Sequence, residues 1–306
     1  MVLLSTIFRA QESLPYYQQY LFDGGFLFNP ALYGNTDNVV INLNYQKQYS
    51  KLSESPNVQS VGIHANVYDR VGVGASFFRD QSGPISANGI TAGASYTIPL
   101  NDDGERKNQF SFGTSANFYN MTFDYGLLHP EQSGDPLLAG DNSIFLAYAN
   151  FGLAATYKDI FGNLSVNDIA LTNDEPIVNG IEPSPIKIFL NLGYDWYFGE
   201  NMYVTPSILI NLNTNSSRMT DYNLTGTVTG ETSSFSAGAS FRTVQNKYGT
   251  QNLSISPLIK AKVGKYNFGA TYNIGMSGIQ PYGGNSFMVS IGLNLNNFIN
   301  TRGFRY

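Results

Sequence analysis

The chain has 306 residues, no cysteine, 17 basic against 22 acidic side chains and a formal net charge of −5. Absent cysteine removes disulfides, thiolate nucleophiles and cysteine-bound metals, and the acidic balance argues against a nucleic-acid partner. Charged residues are 13%, about half the usual share, aromatic residues are 14%, and mean hydropathy is −0.16. No run of about 18 uncharged apolar residues exists, so no membrane helix is predicted. Low charge, many aromatic rings and mild hydropathy suit a wall that faces lipid on one side and water on the other; a soluble, secreted all-β protein is the rival reading.

Taken in chain order, residues 1–10 (MVLLSTIFRA) read as the remnant of an export signal, with a cleavage point after Ala10 but no basic start. Residues 11–37 are rich in Tyr, Phe, Pro and Gly and do not alternate; they read as a periplasmic arm or a segment that plugs a barrel. From residue 38 to 306, polar and apolar residues alternate in runs of roughly ten, long enough to cross an outer membrane as tilted strands. The runs fall at 38–49, 58–68, 71–79, 88–99, 108–119, 146–157, 162–172, 186–198, 202–213, 219–229, 233–244, 251–262, 265–276 and 285–298. Short breaks such as Tyr68-Asp69-Arg70, Gly199-Glu200-Asn201 and Gly264-Lys265 alternate with long ones at 50–57, 79–88, 120–145, 173–185 and 277–285. The pattern predicts a fourteen-stranded antiparallel transmembrane β-barrel, with short periplasmic turns, longer extracellular loops and both termini periplasmic.

Several residues inside these runs need a reading. Gly62, Gly72, Gly74, Gly93, Gly113, Gly152, Gly193, Gly238 and Gly269 recur within strands, where glycine weakens pairing; they are expected to relieve crowding on a curved inner wall. Asp195 and Asp221 share the polar faces of their strands, and a charge facing lipid is costly, so both should point inward and pair with a lumen Lys or Arg. Trp196, Tyr68, Tyr96, Phe198, Tyr203, Tyr266, Phe287 and Phe298 near strand ends read as interfacial girdle. Tyr306 and Phe298 compete as the terminal aromatic of an assembly signal. The two histidines, His64 on a polar strand face and His129 in the longest loop, lack metal-ligand spacing. The charged run at 102–107 lacks EF-hand spacing and reads as a solvated periplasmic turn. No nucleophile, base and orienter converge, so no enzyme, cofactor or metal is predicted.

A resemblance adds to this. Gln11, Pro15, Tyr16, Gln19, Tyr20 and Phe22 precede Asn29-Pro30-Ala31-Leu32-Tyr33-Gly34, and this opening resembles the PorP/SprF family, outer-membrane proteins of the Bacteroidetes tied to type IX secretion and gliding. Tyr45-Gln46-Lys47-Gln48-Tyr49, then Pro56 and Ser60, resemble its next motif, with Lys47 and Tyr49 where the family has Arg and Trp. Val71-Gly72-Val73-Gly74 through Asp80 and Gly83-Pro84, then Asp135-Pro136, Asn150-Phe151-Gly152 and Pro206-Ser207, follow in the family's order.

The resemblance implies a non-catalytic barrel in the bacterial outer membrane. Its implied partner is a secreted, adhesin-like surface protein with a type IX C-terminal domain, held for secretion or surface anchoring, with other secretion or gliding components as further partners. A passive porin for small solutes is the alternative. Loop 120–145 separates the two. Folded outward, with Phe123, Tyr125, Leu127 and Leu128 exposed and Tyr119 at its edge, it suits protein binding; folded into the lumen, it suits a constriction. Residues of this loop and of 173–185 are the expected partner contacts.

Overall fold

The computed structural model describes residues 18–22, 24–52, 55–102, 107–124, 143–172, 186–213, 218–246, 249–278 and 280–300. Fourteen strands cover most of them: β1 (Asn38–Lys47), β2 (Asn57–Tyr68), β3 (Val71–Ser82), β4 (Ile85–Asp102), β5 (Lys107–Phe123), β6 (Ser143–Tyr157) and β7 (Ile160–Ala170). Next come β8 (Lys187–Tyr194, resuming at Trp196–Tyr197), β9 (Met202–Asn213), β10 (Arg218–Thr229), β11 (Ser233–Asn246), β12 (Gly249–Val263), β13 (Tyr266–Gly275) and β14 (Ser286–Asn296). Each pairs antiparallel with its neighbours in sequence, and β14 returns to β1 from Asn38↔Asn296 to Lys47↔Phe287. The sheet is therefore a closed barrel with no free edge, the condition for strands to cross a bilayer.

Over the middle of the strands, outward residues are mostly apolar and inward ones mostly small or polar, with Phe189, Leu209, Leu258 and Met288 as buried apolar exceptions. On β4, Ile90, Ala92, Ala94 and Tyr96 are exposed while Thr91, Ser95 and Thr97 are buried. Aromatic side chains gather outward at the short-turn rim: Tyr68, Tyr157, Trp196 and Tyr266 are all exposed, and Lys158 and Lys265 lie over the rings of Tyr157 and Tyr266. Rings at this depth with ammonium groups reaching past them suit a membrane interface.

The pattern inverts beyond Ile90 and Phe118. There Asn88 and Asn120 face out, Ser86 and Thr122 bond each other at 2.6 Å, and Phe78, Tyr119 and Met121 turn in. β4 has 18 residues and β5 has 17, against the 9–11 or so that a tilted crossing takes. These hairpins stand clear of the apolar band, so water meets their outer face and the apolar side chains pack inside. Residues 79–88 are accordingly no long loop. β3 and β4 run on to a tight turn at Gly83-Pro84, where Gly83 has φ +57°. Strand β5 likewise continues to Phe123, leaving 124–142 as the connection.

Candidate functional site: the lumen disc and the long-loop end

Residues 18–34 lie inside the barrel. They form three short 3-10 turns, Gln18–Leu21, Gly25–Leu27 and Pro30–Leu32, and make a disc across the lumen. Asn29 caps the third turn: its Oδ1 accepts from the Ala31 N–H at 2.9 Å, and Pro30 takes the first position, where its missing N–H costs nothing. The Asn29 amide donates to the Leu153 carbonyl of β6 at 3.1 Å, so the same side chain starts the turn and fastens it to the wall.

The disc reaches round the wall. Gly34 N–H donates to His64 Nδ1 on β2 at 3.0 Å, and Ser95 on β4 donates to the Tyr33 carbonyl. Asn167 on β7 donates to the Phe28 carbonyl at 2.7 Å, while the Phe28 ring packs on Phe189 of β8 and Leu209 of β9. Tyr20 hydroxyl donates to Asp221 on β10 at 3.0 Å. Phe22 packs on Leu258 of β12 and Met288 of β14, and its carbonyl accepts from Asn42 on β1 at 3.0 Å.

The strand glycines explain how so much chain fits. A Cβ at Gly113 would meet the Pro30 backbone, one at Gly152 would overlap Asn29 Oδ1, and one at Gly269 would overlap the Phe22 ring. Gly72 and Gly74 make the same room for Tyr33, and Gly62 for Phe26. The expected relief of crowding is thus directed at one segment. Gly93, Gly193 and Gly238 instead make room for neighbouring wall residues. Gly34 is held at φ +59° against Gly72 and Ala65, a backbone no side chain would tolerate there.

Two buried ion pairs lie inside the barrel among the described residues. Arg242 on β11 grips Asp221 through two hydrogen bonds of 2.6 and 2.7 Å, and Asp221 is fully buried; the expected pairing holds there. Asp195 differs. It sits at the break in β8, half-buried near the short-turn rim, and accepts from Thr205 at 2.6 Å; that close to water a hydroxyl suffices. A second buried pair joins Lys187 to Asp168 at 3.0 Å. Asp168 has φ +63° at a bulge where Asn167 and Asp168 together oppose Asn150, which turns two consecutive polar residues inward. Periodicity gives no hint of such a pair. Burial, and then the charge of Asp221, hold the Tyr20 hydroxyl well above its ordinary range, and burial pushes Tyr33 up to about 12. Both therefore stay neutral, and the Tyr20 hydroxyl donates to Asp221.

His64 is a wall residue that accepts the Gly34 N–H and lies against Phe26, ring centroids 4.5 Å apart. With Nδ1 an acceptor, its proton sits on Nε2. No cluster of His and acidic residues suited to a metal occurs among the described residues.

Toward the long-loop end, a second barrier lies above the disc on the β3–β6 side. Phe78, Ala87, Tyr119, Met121, Phe123, Leu146 and Tyr148 form one buried cluster, with Ile85 and Ile144 against it. Two expected partner contacts belong to it: Tyr119 is 1% exposed and Phe123 7%. Both are strand residues on the inner face of β5, so in this conformation they offer a partner no surface. Tyr125, Leu127, Leu128 and His129 lie outside the described residues, as do loop 173–185, residues 1–10 and Tyr306. At the same end, loops 48–56 and 276–285 are joined: Ser50 N–H donates to the Asn285 carbonyl and Lys51 N–H to the Gly283 carbonyl, at 2.9 and 3.0 Å. This joined surface presents Tyr282 at 79% exposure and Leu52 at 42%. Sequence reasoning passed over it because neither loop alternates.

Comparison with known proteins fits this architecture. Among solved structures, the chain is similar to the CymD monoaromatic hydrocarbon channel, with a TM-score of 0.53 at 10% identity, covering 89% of this chain and 92% of that one. It also matches a TodX monoaromatic hydrocarbon channel deltaS2 mutant (TM-score 0.49, 11% identity, 90% and 94% covered) and the KdgM porin (0.40, 9%, 83% and 98%). At such identities the first likeness speaks for the outer-membrane barrel fold alone. No curated protein sequence matches. The family model described as type IX secretion system membrane protein PorP/SprF matches residues 10–293, the disc and nearly all of the barrel. The chain therefore belongs to the PorP/SprF family of type IX secretion system membrane proteins and is an outer-membrane β-barrel.

Proposed function

We propose that this barrel is a closed holder rather than a pore. It binds the C-terminal domain of a type IX-secreted, adhesin-like surface protein at its long-loop end, supporting that protein's secretion or anchoring and, through it, gliding. Short turns and both termini face the periplasm, and the long loops face outward, the usual polarity of such barrels. The observation that carries the reading is the disc across the lumen, bonded to strands all round the wall. A disc fastened around the wall and an apolar cluster above it leave little for a passive porin to conduct, so the work falls to the surface.

Burial of Tyr119 and Phe123 assigns them to the footing of loop 124–142, while Tyr125, Leu127 and Leu128 remain the proposed contacts within it. Tyr282 and Leu52 join them as a second proposed contact. A tyrosine pinned in a hydrogen-bonded loop has little ordering entropy left to lose on binding. The test is affinity purification of the detergent-solubilised barrel from its native outer membrane, with mass spectrometry. The expected result is a stoichiometric large surface protein carrying a C-terminal β-domain. A barrel that emerges alone, under conditions that preserve other membrane complexes, overturns the reading.

A further inference from the structure

The disc is not held evenly. Residues 29–34 are bonded out: Asn29 uses both ends of its amide, Gly34 N–H and the Tyr33 carbonyl each have a wall partner, and Pro30 sits against Gly113 with no space for a Cβ. At residues 18–22 the accounting differs. Gln18 is 1% exposed, and neither its amide nitrogen nor its oxygen has a hydrogen-bond partner; Gln19 Oε1 lacks one too. The wall nearby has unbonded groups too, as it does beside the anchor at Ser165 Oγ and Asn167 Oδ1, so the contrast lies in the disc's own side chains. Asn223, Ser240 and Ser256 sit side by side across β10, β11 and β12. Asn223 bonds Tyr20, but Ser240 Oγ and Ser256 Oγ are buried without partners, as is Asn273 Oδ1 on β13. Buried polar groups left unbonded cost free energy that water would return, and the least stabilised part of a fold is the part that opens. What holds this stretch is the Phe22 ring in its Gly269 notch with Leu21 beside it, the Phe22 carbonyl on Asn42, the Tyr20 ring edge-on to Phe28, and the Tyr20 hydroxyl on Asn223 and the charge of Asp221.

We propose that the disc is hinged, with residues 29–34 as its fixed anchor and residues 18–22 as a displaceable leg that Tyr20 latches to the Asp221–Arg242 pair. When the leg swings away it uncovers a neutral strip of hydroxyls and amides along β10–β13. The opened barrel then passes water and small uncharged solutes. This device is independent of any partner at the surface.

The chain has no cysteine, so single-cysteine variants are clean reporters. Gln19→Cys on the leg and Ala31→Cys on the anchor are each made with and without Tyr20→Phe, a change that removes only the hydroxyl. Proteoliposomes of the full barrel are treated with a membrane-impermeant maleimide, and the mobility of unboiled samples on gels confirms folding. Gln19→Cys is expected to label, and roughly tenfold faster with Tyr20→Phe, the factor expected for losing a hydrogen bond to a charged group. Ala31→Cys is expected to stay protected in both backgrounds. Equal protection of both sites, equal labelling of both, or labelling of Gln19→Cys that Tyr20→Phe leaves unchanged each overturns the proposal.

Discussion

At the scale of single residues, the lumen is a set of lock-and-notch contacts whose failures are specific. Gly152→Ala puts a methyl group into Asn29 Oδ1 and the Ala31 N–H. Overpacking of this kind costs about 1–3 kcal/mol, and the temperature at which the unboiled barrel loses its compact gel mobility is expected to fall. Asp221→Asn leaves Arg242 buried without its carboxylate; breaking such a pair costs about 3–5 kcal/mol, so the folded yield should drop further than for Gly152→Ala. Tyr33 titrates with a definite sign. Its folded-state value is about 12 against about 10 for a free tyrosine. Its contribution is thus intact below pH 10 and lost as pH rises from 10 to 12, by at most about 3 kcal/mol. Denaturant midpoints measured across that window should fall less steeply in Tyr33→Phe. The strand glycines were visible in the sequence, but not the segment they admit. A Gly reports that a side chain is unwelcome and says nothing of what stands in its place.

At the scale of elements, all fourteen strands were legible because lipid imposes a strict two-residue alternation on every crossing. Their outer ends were not, because alternation continues past the membrane with its polarity reversed. Tyr119 shows the difference. It shares a face with Ser115 and Asn117, opposite the lipid-facing Phe112 and Phe118, so its phase already placed it inside. Read as the edge of a loop, it looked like a surface aromatic. The reversal makes a prediction of its own. Ala94→Lys puts an ammonium group at the middle of the apolar band on β4 and should cost about 2–4 kcal/mol. Asn88→Lys, three outward positions nearer the long-loop end, should be close to neutral. Equilibrium unfolding of the two variants in lipid vesicles compares them directly, and equal costs would place the upper edge of the membrane elsewhere. The segment 18–34 has no period at all. Its shape comes from the Asn29-Pro30 cap and from the wall it fills, information that is tertiary rather than local.

At the scale of the molecule, the sheet that closes the barrel and the disc that closes its lumen belong to one design. A closed sheet satisfies every backbone group in lipid, and in the proposed function the disc turns the barrel from a conduit into a mount for its long loops. Of the two proposed contact sites, Tyr282 sits on its bonded loop pair, and the Tyr119 cluster underlies the strand ends at Phe123 and Ser143 between which the other runs. Planar-bilayer recording of the purified full-length barrel tests this account most directly. A closed mount predicts no steady open level, only brief openings that become more frequent in Tyr20→Phe. A large, steady, ohmic conductance in the unmodified barrel, like that of a porin with a water-filled lumen, would contradict it.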